Sequence, residues 1–382
     1  MKRYYSSIIC VIVFVSILVG IIYTLKRQQY VNLPTAASSI FLSEKNKYGN
    51  EEQALLGFIQ NHLIGSFGGV ITNTCPQNGD ADTLSESVGI LLNYSLINDD
   101  KSMFERVYRY FKKELLTEGI HIKWKSGENV SCNASIDDLR IIGALFGAYE
   151  KWGYEKYFQV SLTLQQKLYD SQVEDGNLHQ LYDWKYNSTK ASTPLCYLDL
   201  KTLKKLMYYN KDWEEVYNSS LSVAIGGRIE GTPFFYKYYD YKSGEYQFDE
   251  EYNEGGSENR GICLLYTLYT ALNLAEEYFS TDELLSWLKN EMDNRNKLYA
   301  WYDPYSKEPV LELESTAVYA LASIYARLSG DELLSEKLLE RMFEFVVDDR
   351  DSEYYGGFGN CETGEFYSFD NLTALWALAL AK

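Results

Sequence analysis

Apolar residues gather along this chain in two alternating kinds of segment. One kind is almost wholly apolar and opens on an acid: Glu86 (ESVGILLNYSL), Asp138 (DLRIIGALFGAYEKW), Asp199 (DLKTLKKLMYY), Glu258 (ENRGICLLYTLYTALNLA), Glu314 (ESTAVYALASIYARL) and Asp370 (DNLTALWALALAK). The gaps between these acids are 52, 61, 59, 56 and 56 residues, a regularity that marks stacked helical units. The other kind mixes charge with Leu, Phe and Tyr at helical spacing, at 102–116, 154–170, 212–220, 281–292 and 331–347, with 51–63 ahead of the first. These read as surface helices, whereas the six apolar segments must be covered on most sides. Six buried helices alternating with six half-exposed ones predict an all-α, (α/α)6 toroid. Its inner helices would run parallel, so that six acidic side chains ring one mouth.

Aromatic stretches interrupted by turn residues precede the later inner helices, at 234–248 (FFYKYYDYKSGEYQF), 299–313 (YAWYDPYSKEPVLEL) and 354–369 (YYGGFGNCETGEFYSF). Each predicts a short β-hairpin, and the three together would wall the same mouth. An acid at a helix start also serves simply as a cap and dipole partner, which fits Asp199, Glu314 and Asp370.

The N-terminus departs from this pattern. Residues 8–25 (IICVIVFVSILVGIIYTL) form an 18-residue apolar run between Lys2–Arg3 and Lys26–Arg27. That length just spans a bilayer, and no small-residue cleavage site follows directly. The organisation expected is a transmembrane signal anchor at 1–30, a linker at 31–48 and a toroidal domain at 49–382. A lone N-terminal anchor would place that domain outside the cell membrane.

Charge narrows the partners. Of 382 residues, 36 are Lys or Arg and 54 are Asp or Glu, a net charge of -18; residues 1–30 carry +4, so the rest carries -22. Nucleic acid is excluded for want of a basic footprint. Six scattered Cys and three His offer no metal-ligand spacing, and nothing in the chain calls for a cofactor. The 35 Tyr and seven Trp suit a sugar ligand, since aromatic faces pack on apolar faces of other rings while polar groups bond the rim.

Three motifs then carry a resemblance. Residues 82–92 (DTLSESVGILL) resemble the SEGxGYGM signature of glycoside hydrolase family 8: Ser85, Glu86 and Gly89 match, while Ser87, Val88 and Ile90 depart. Residues 134–152 (ASIDDLRIIGALFGAYEKW) are similar to a second family pattern, with Ser135, Asp138, Ile141, Ala144, Leu145, Ala148 and Trp152 in register. Residues 193–212 (TPLCYLDLKTLKKLMYYNKD) resemble a third, and Asp212 and Trp213 supply its closing DW. The resemblance covers about residues 50–382 and implies the same (α/α)6 barrel.

It also implies a chemistry. Glu86 would be the proton donor, kept protonated by neighbouring acids and by apolar Leu84 and Val88. The family inverts, which requires a second carboxyl about 6.5–9.5 Å away with water between. Where the family has YDAxR, this chain reads Gly255-Gly-Ser-Glu-Asn-Arg260: Arg260 matches, but Ser257 stands in place of the Asp. The base is therefore Glu258 or, equally, Asp249 from the preceding acidic loop. Ile136 replaces the family Asp that binds sugar at the cleavage point, leaving Asp137 or Asp138 to orient sugar and water. Trp124, Trp184, Tyr197 and Trp301 are the candidate sugar platforms.

The function expected is a membrane-tethered glycosidase that cleaves a β-linked polysaccharide made by the cell itself. A glycan-binding toroid without activity and a type II membrane glycosyltransferase are the alternatives.

Overall fold

Among the described residues of the computed structural model, 47–75, 82–249 and 261–382, the chain forms twelve α-helices. In order they are α1 (Gly49–Phe58), α2 (Ser85–Ile97), α3 (Lys101–Tyr110), α4 (Ser135–Trp152), α5 (Glu155–Gln172) and α6 (Leu200–Tyr209). They continue as α7 (Trp213–Gly226), α8 (Leu264–Glu276), α9 (Asp282–Asn294), α10 (Thr316–Leu328), α11 (Glu332–Met342) and α12 (Ser368–Leu380). The even-numbered helices are the apolar segments. Each packs on the next, and α12 packs back on α2, closing a ring; the odd-numbered helices cover it from outside. Helix α10 shows why the inner segments lack a polar face: every residue from Thr316 to Ala326 is buried. The (α/α)6 barrel expected from the repeat is the observed fold.

Small residues let the ring close. A Cβ on Gly89 of α2 would stand 3.0 Å from Cβ of Arg140 in α4, and one on Gly143 of α4 would stand 2.8 Å from Oγ1 of Thr202 in α6. Either substitution would push two inner helices apart.

First-turn contacts show that the inner N-termini share one end. Ser85 of α2 bonds Asp137 of α4, Ser87 of α2 meets Ser368 of α12 at 3.2 Å, and Asp370 of α12 accepts from the Ala317 amide of α10. The acids themselves are used in different ways. Asp199 caps α6 by accepting from the Thr202 amide, as capping predicts. Asp370 caps the neighbouring helix, α10, rather than its own. Glu314 lies ahead of α10 and pairs with Arg341 and Lys297.

The expectation that Glu258 opens an inner helix is corrected. Helix α8 starts six residues later, at Leu264, because Ile262 and Cys263 are drawn into a strand against Trp301 and Tyr302. Glu258 and Arg260 lie outside the described residues. So does the apolar run at 8–25; no helix among the described residues is long and apolar enough to cross a membrane.

The hairpins form where the aromatic stretches predict them. Tyr238–Asp240 pairs with Glu245–Gln247 and, on its other side, with Ser192–Pro194. Trp301–Tyr302 pairs with Pro309–Leu311, and Asn360 bridges Glu365. All strands among the described residues belong to sheets of two or three, with no alternating strand and helix domain of the kind the glycosyltransferase alternative calls for.

Candidate active site

Four inner helices deliver their first turns, and a fifth the turn before it, to a single cleft of about 350 Å³. It is lined by Leu84 and Glu86 from α2, by Ala134, Ile136, Asp137 and Arg140 from α4, and by Cys196 and Tyr197 from the turn ahead of α6. Leu265, Tyr266 and Tyr269 of α8, Phe369 of α12 and Trp124 from a loop complete the wall. Glu86 and Asp137 are its carboxylates among the described residues.

Helix geometry decides which acid faces in. Asp137 and Arg140 are three residues apart, hence on one face of α4. Arg140 Nη1 lies 3.4 Å from Asp137 Oδ1 and 3.9 Å from Glu86 Oε2, and its guanidinium lies 5.2 Å from the Tyr269 ring centroid. Ser85 Oγ is 2.7 Å from Asp137 Oδ2 and 3.0 Å from the Trp124 carbonyl, and donates to one of them. Asp138 points the other way. Its Oδ2 accepts from Asn133 Nδ2 at 2.6 Å, and the same amide group reaches Gln172 at the end of α5. Of the two candidates for orienting sugar, the structure brings Asp137 to the cleft and keeps Asp138 behind it.

The two carboxyls of the cleft are unlike in their surroundings. The Glu86 side chain is half-buried, 29% exposed, and lines the cleft. Burial, reinforced by the Asp137 charge and opposed by Arg140, pushes its pKa to about 7. Burial raises Asp137 as well, but Arg140, the Ser85 hydroxyl and the Glu86 amide all favour its charged form. The proton shared by such a pair therefore rests on Glu86. A protonated carboxyl beside an ionised one is the condition for donating a proton to a leaving oxygen.

The remaining candidates fall around this centre. Trp124, 38% exposed, and Tyr197 line the cleft, as their place near the motif edges suggests. Trp184 stacks on His121 at 4.8 Å and 14° and is not among the lining residues. Trp301 is held in its hairpin against Cys263, also off the lining. Asp249 is buried and bonded to Lys237 at 2.6 Å, in a pocket that shares Tyr266 alone with the cleft among the described residues.

Arg140, Tyr266 and Tyr269 escaped the reading of the sequence. The signal for Arg140 was its three-residue spacing from Asp137. The signal for the tyrosines was their place in the first turns of an inner helix. Among the described residues no group of His, Cys, Asp and Glu could hold a metal ion, and the five cysteines there are free thiols.

Comparison with known proteins follows this geometry. No family model matches the chain. YdaJ of Bacillus subtilis (strain 168), named as a candidate lipoprotein, is 29% identical over 324 residues, 84% of each chain. A structure described as a novel alpha-amylase from Clostridium perfringens superposes with a TM-score of 0.79 at 29% identity, over 87% of this chain and 98% of that one. Endoglucanase Cel10 of Klebsiella pneumoniae, a family 8 glycosyl hydrolase, superposes with a TM-score of 0.61 at 13% identity, over 86% and 99%. The barrel is thus the fold of glycoside hydrolase family 8 enzymes, and the order of the motifs and the place of Glu86 in the cleft agree with the resemblance to that family.

Proposed function

We propose that this glycosidase cleaves a polysaccharide laid across the aromatic cleft, with Glu86 as the general acid, Asp137 and Arg140 setting its protonation, and inversion at the anomeric carbon. The observation that carries the reading is the Glu86 carboxyl, set beside Asp137 and Arg140 and with a pKa that burial raises to about 7, in a cleft walled by Trp124, Tyr197, Tyr266, Tyr269 and Phe369. The acid delivers its proton to the glycosidic oxygen, and a water activated by a second carboxylate attacks the opposite face. Glu258, outside the described residues, and Asp249 are the candidates for that base.

The family resemblance favours a β-linked chain, and the neighbour described as an alpha-amylase favours an α-linked one. The apolar run at 8–25 supports a single membrane anchor with the barrel outside the cell, and a tether suits trimming of a polymer the cell itself exports.

The test is release of reducing ends by the full-length chain from starch, cellulosic and mixed-linkage β-glucans, xylan and the producing cell's own polysaccharide. Cleavage of one class, abolished in Glu86→Gln with polymer binding retained, supports the reading. Product NMR that finds the anomer of the starting bond would overturn inversion. Protease accessibility of the barrel on intact cells tests the topology.

A further inference from the structure

Behind the Tyr266 wall sits a buried ion pair that the proposed chemistry does not use. Lys237 and Asp249 have side chains 8% and 3% exposed and bond at 2.6 Å. Burying two charges rarely adds stability beyond what apolar residues would give, so such a pair invites a geometric explanation.

The contacts of Lys237 supply one. Its Nζ lies 4.4 Å from the Tyr266 ring centroid and 5.0 Å from that of Tyr238. Its carbonyl accepts from the Leu195 amide at 2.8 Å, and its own amide donates to the Gln247 carbonyl at 3.0 Å. Leu195 begins the single helical turn, Leu195–Tyr197, that carries Cys196 and Tyr197 into the cleft. One lysine thus holds the Tyr197 turn by its backbone and Tyr266 and Asp249 by its ammonium group. The void beside the pair is about 10 Å³, at the lower limit for a single water and far too small for a sugar ring.

We propose that Lys237 and Asp249 are a positioning pair that sets the Tyr197 and Tyr266 walls of the cleft, and that the Asp249 carboxylate is not the base that activates water. This rests on the glycosidase reading. It makes Asp249, one of two acids equally eligible in the sequence, a structural partner of Lys237.

The experiment compares Lys237→Met, Asp249→Asn, Lys237→Arg and the double variant Lys237→Met with Asp249→Leu in the full-length chain. Folding is followed by thermal unfolding, and the soluble polymer that the parent binds is used for both binding and turnover. Each uncharged single variant leaves a buried charge without its partner and displaces the walls. The expected loss in kcat/KM is about 100-fold, the scale of a misplacement near 1 Å, with KM raised and both limbs of the pH profile kept. Lys237→Arg, which keeps the charge, recovers tight binding and turnover; the apolar double variant, which leaves no buried charge unpaired, recovers thermal stability and part of the turnover.

A double variant that folds and binds polymer but does not turn over, or an Asp249→Asn enzyme that loses the acidic limb of its kcat profile, makes Asp249 the base and overturns the proposal. Single variants indistinguishable from the parent overturn it too. If the single variants do not fold, the double variant and Lys237→Arg decide. A parent that cleaves no polymer refutes the glycosidase reading instead, while the binding constants of the variants still report on the walls.

Discussion

Replacing Glu86 by Gln should stabilise this protein as well as silence it. The folded-state pKa of Glu86 is about 7 against an ordinary value of 4.5. A carboxyl whose folded pKa is raised costs nothing below the unfolded pKa, costs more with each step of pH between the two, and reaches its full cost above the folded one. At about 1.4 kcal/mol per pH unit, that cost is near zero at pH 4, about 2 kcal/mol at pH 6 and at most about 3 kcal/mol at pH 8. The side chain is 29% exposed, and a glutamine must find its own partners, so a gain of about 2 kcal/mol at pH 8 is the working figure. Glutamine has the same shape and no charge to desolvate. Urea unfolding of parent and Glu86→Gln at pH 4, 6 and 8 measures the difference directly, and turnover should fall by a factor of at least about 100. A difference that does not change with pH, or a variant less stable than the parent at pH 8, would refute the claim that burial and Asp137 keep this acid protonated.

Other outcomes follow from the same geometry. Arg140→Met leaves Glu86 and Asp137 facing each other without their shared cation. At about 4 Å and an effective dielectric near 20 the lost attraction is about 4 kcal/mol before screening, so the alkaline limb of the kcat profile should move upward by about one pH unit or more; a limb that stays or falls contradicts the assignment. Trp124→Ala should raise KM about tenfold with kcat little changed, as loss of binding common to ground and transition states does, and equal loss in kcat would place Trp124 nearer the chemistry. Asp370→Ala removes the cap on the Ala317 amide and should lower stability by about 1 kcal/mol, which Asp370→Asn largely restores; no change in the unfolding midpoint would mean that solvent serves the amide as well.

Much of this was legible in the chain because a buried helix needs apolar residues all round. The 52- to 61-residue spacing of such segments gave the ring, and the acid near each start gave the mouth. Glu86 and the Asp137–Asp138 pair could be found from that and from the resemblance. What resisted was direction within a turn and competition between elements. Asp137 and Asp138 are adjacent, and about 100° of helix rotation separates them. Only packing against α2 and the end of α5 decides that one faces the cleft and the other faces Asn133. Likewise the segment from Glu258 reads as one helix, but pairing of Ile262 and Cys263 with the Trp301 hairpin delays the helix to Leu264, a tertiary preference that overrides local pattern.

The substitution at Ile136 ties these findings together. Ile136 lines the cleft where the resemblance leads one to expect an acid, and Asp137, one residue along, is turned toward α2. From there its carboxylate takes the Ser85 hydroxyl and the Glu86 amide, and it raises the pKa of Glu86. An acid in that position would compete with Glu86 for the proton were it not compensated. Arg140, on the same face of α4, supplies the compensation, and the Tyr269 ring beneath it fixes where the charge sits. With Ile136 in place of an acid, Asp137 and Arg140 supply the charges beside Glu86. Ile136 makes the cleft lining less polar, while the proposed donor Glu86 keeps its raised pKa. The consequence falls on what the cleft recognises.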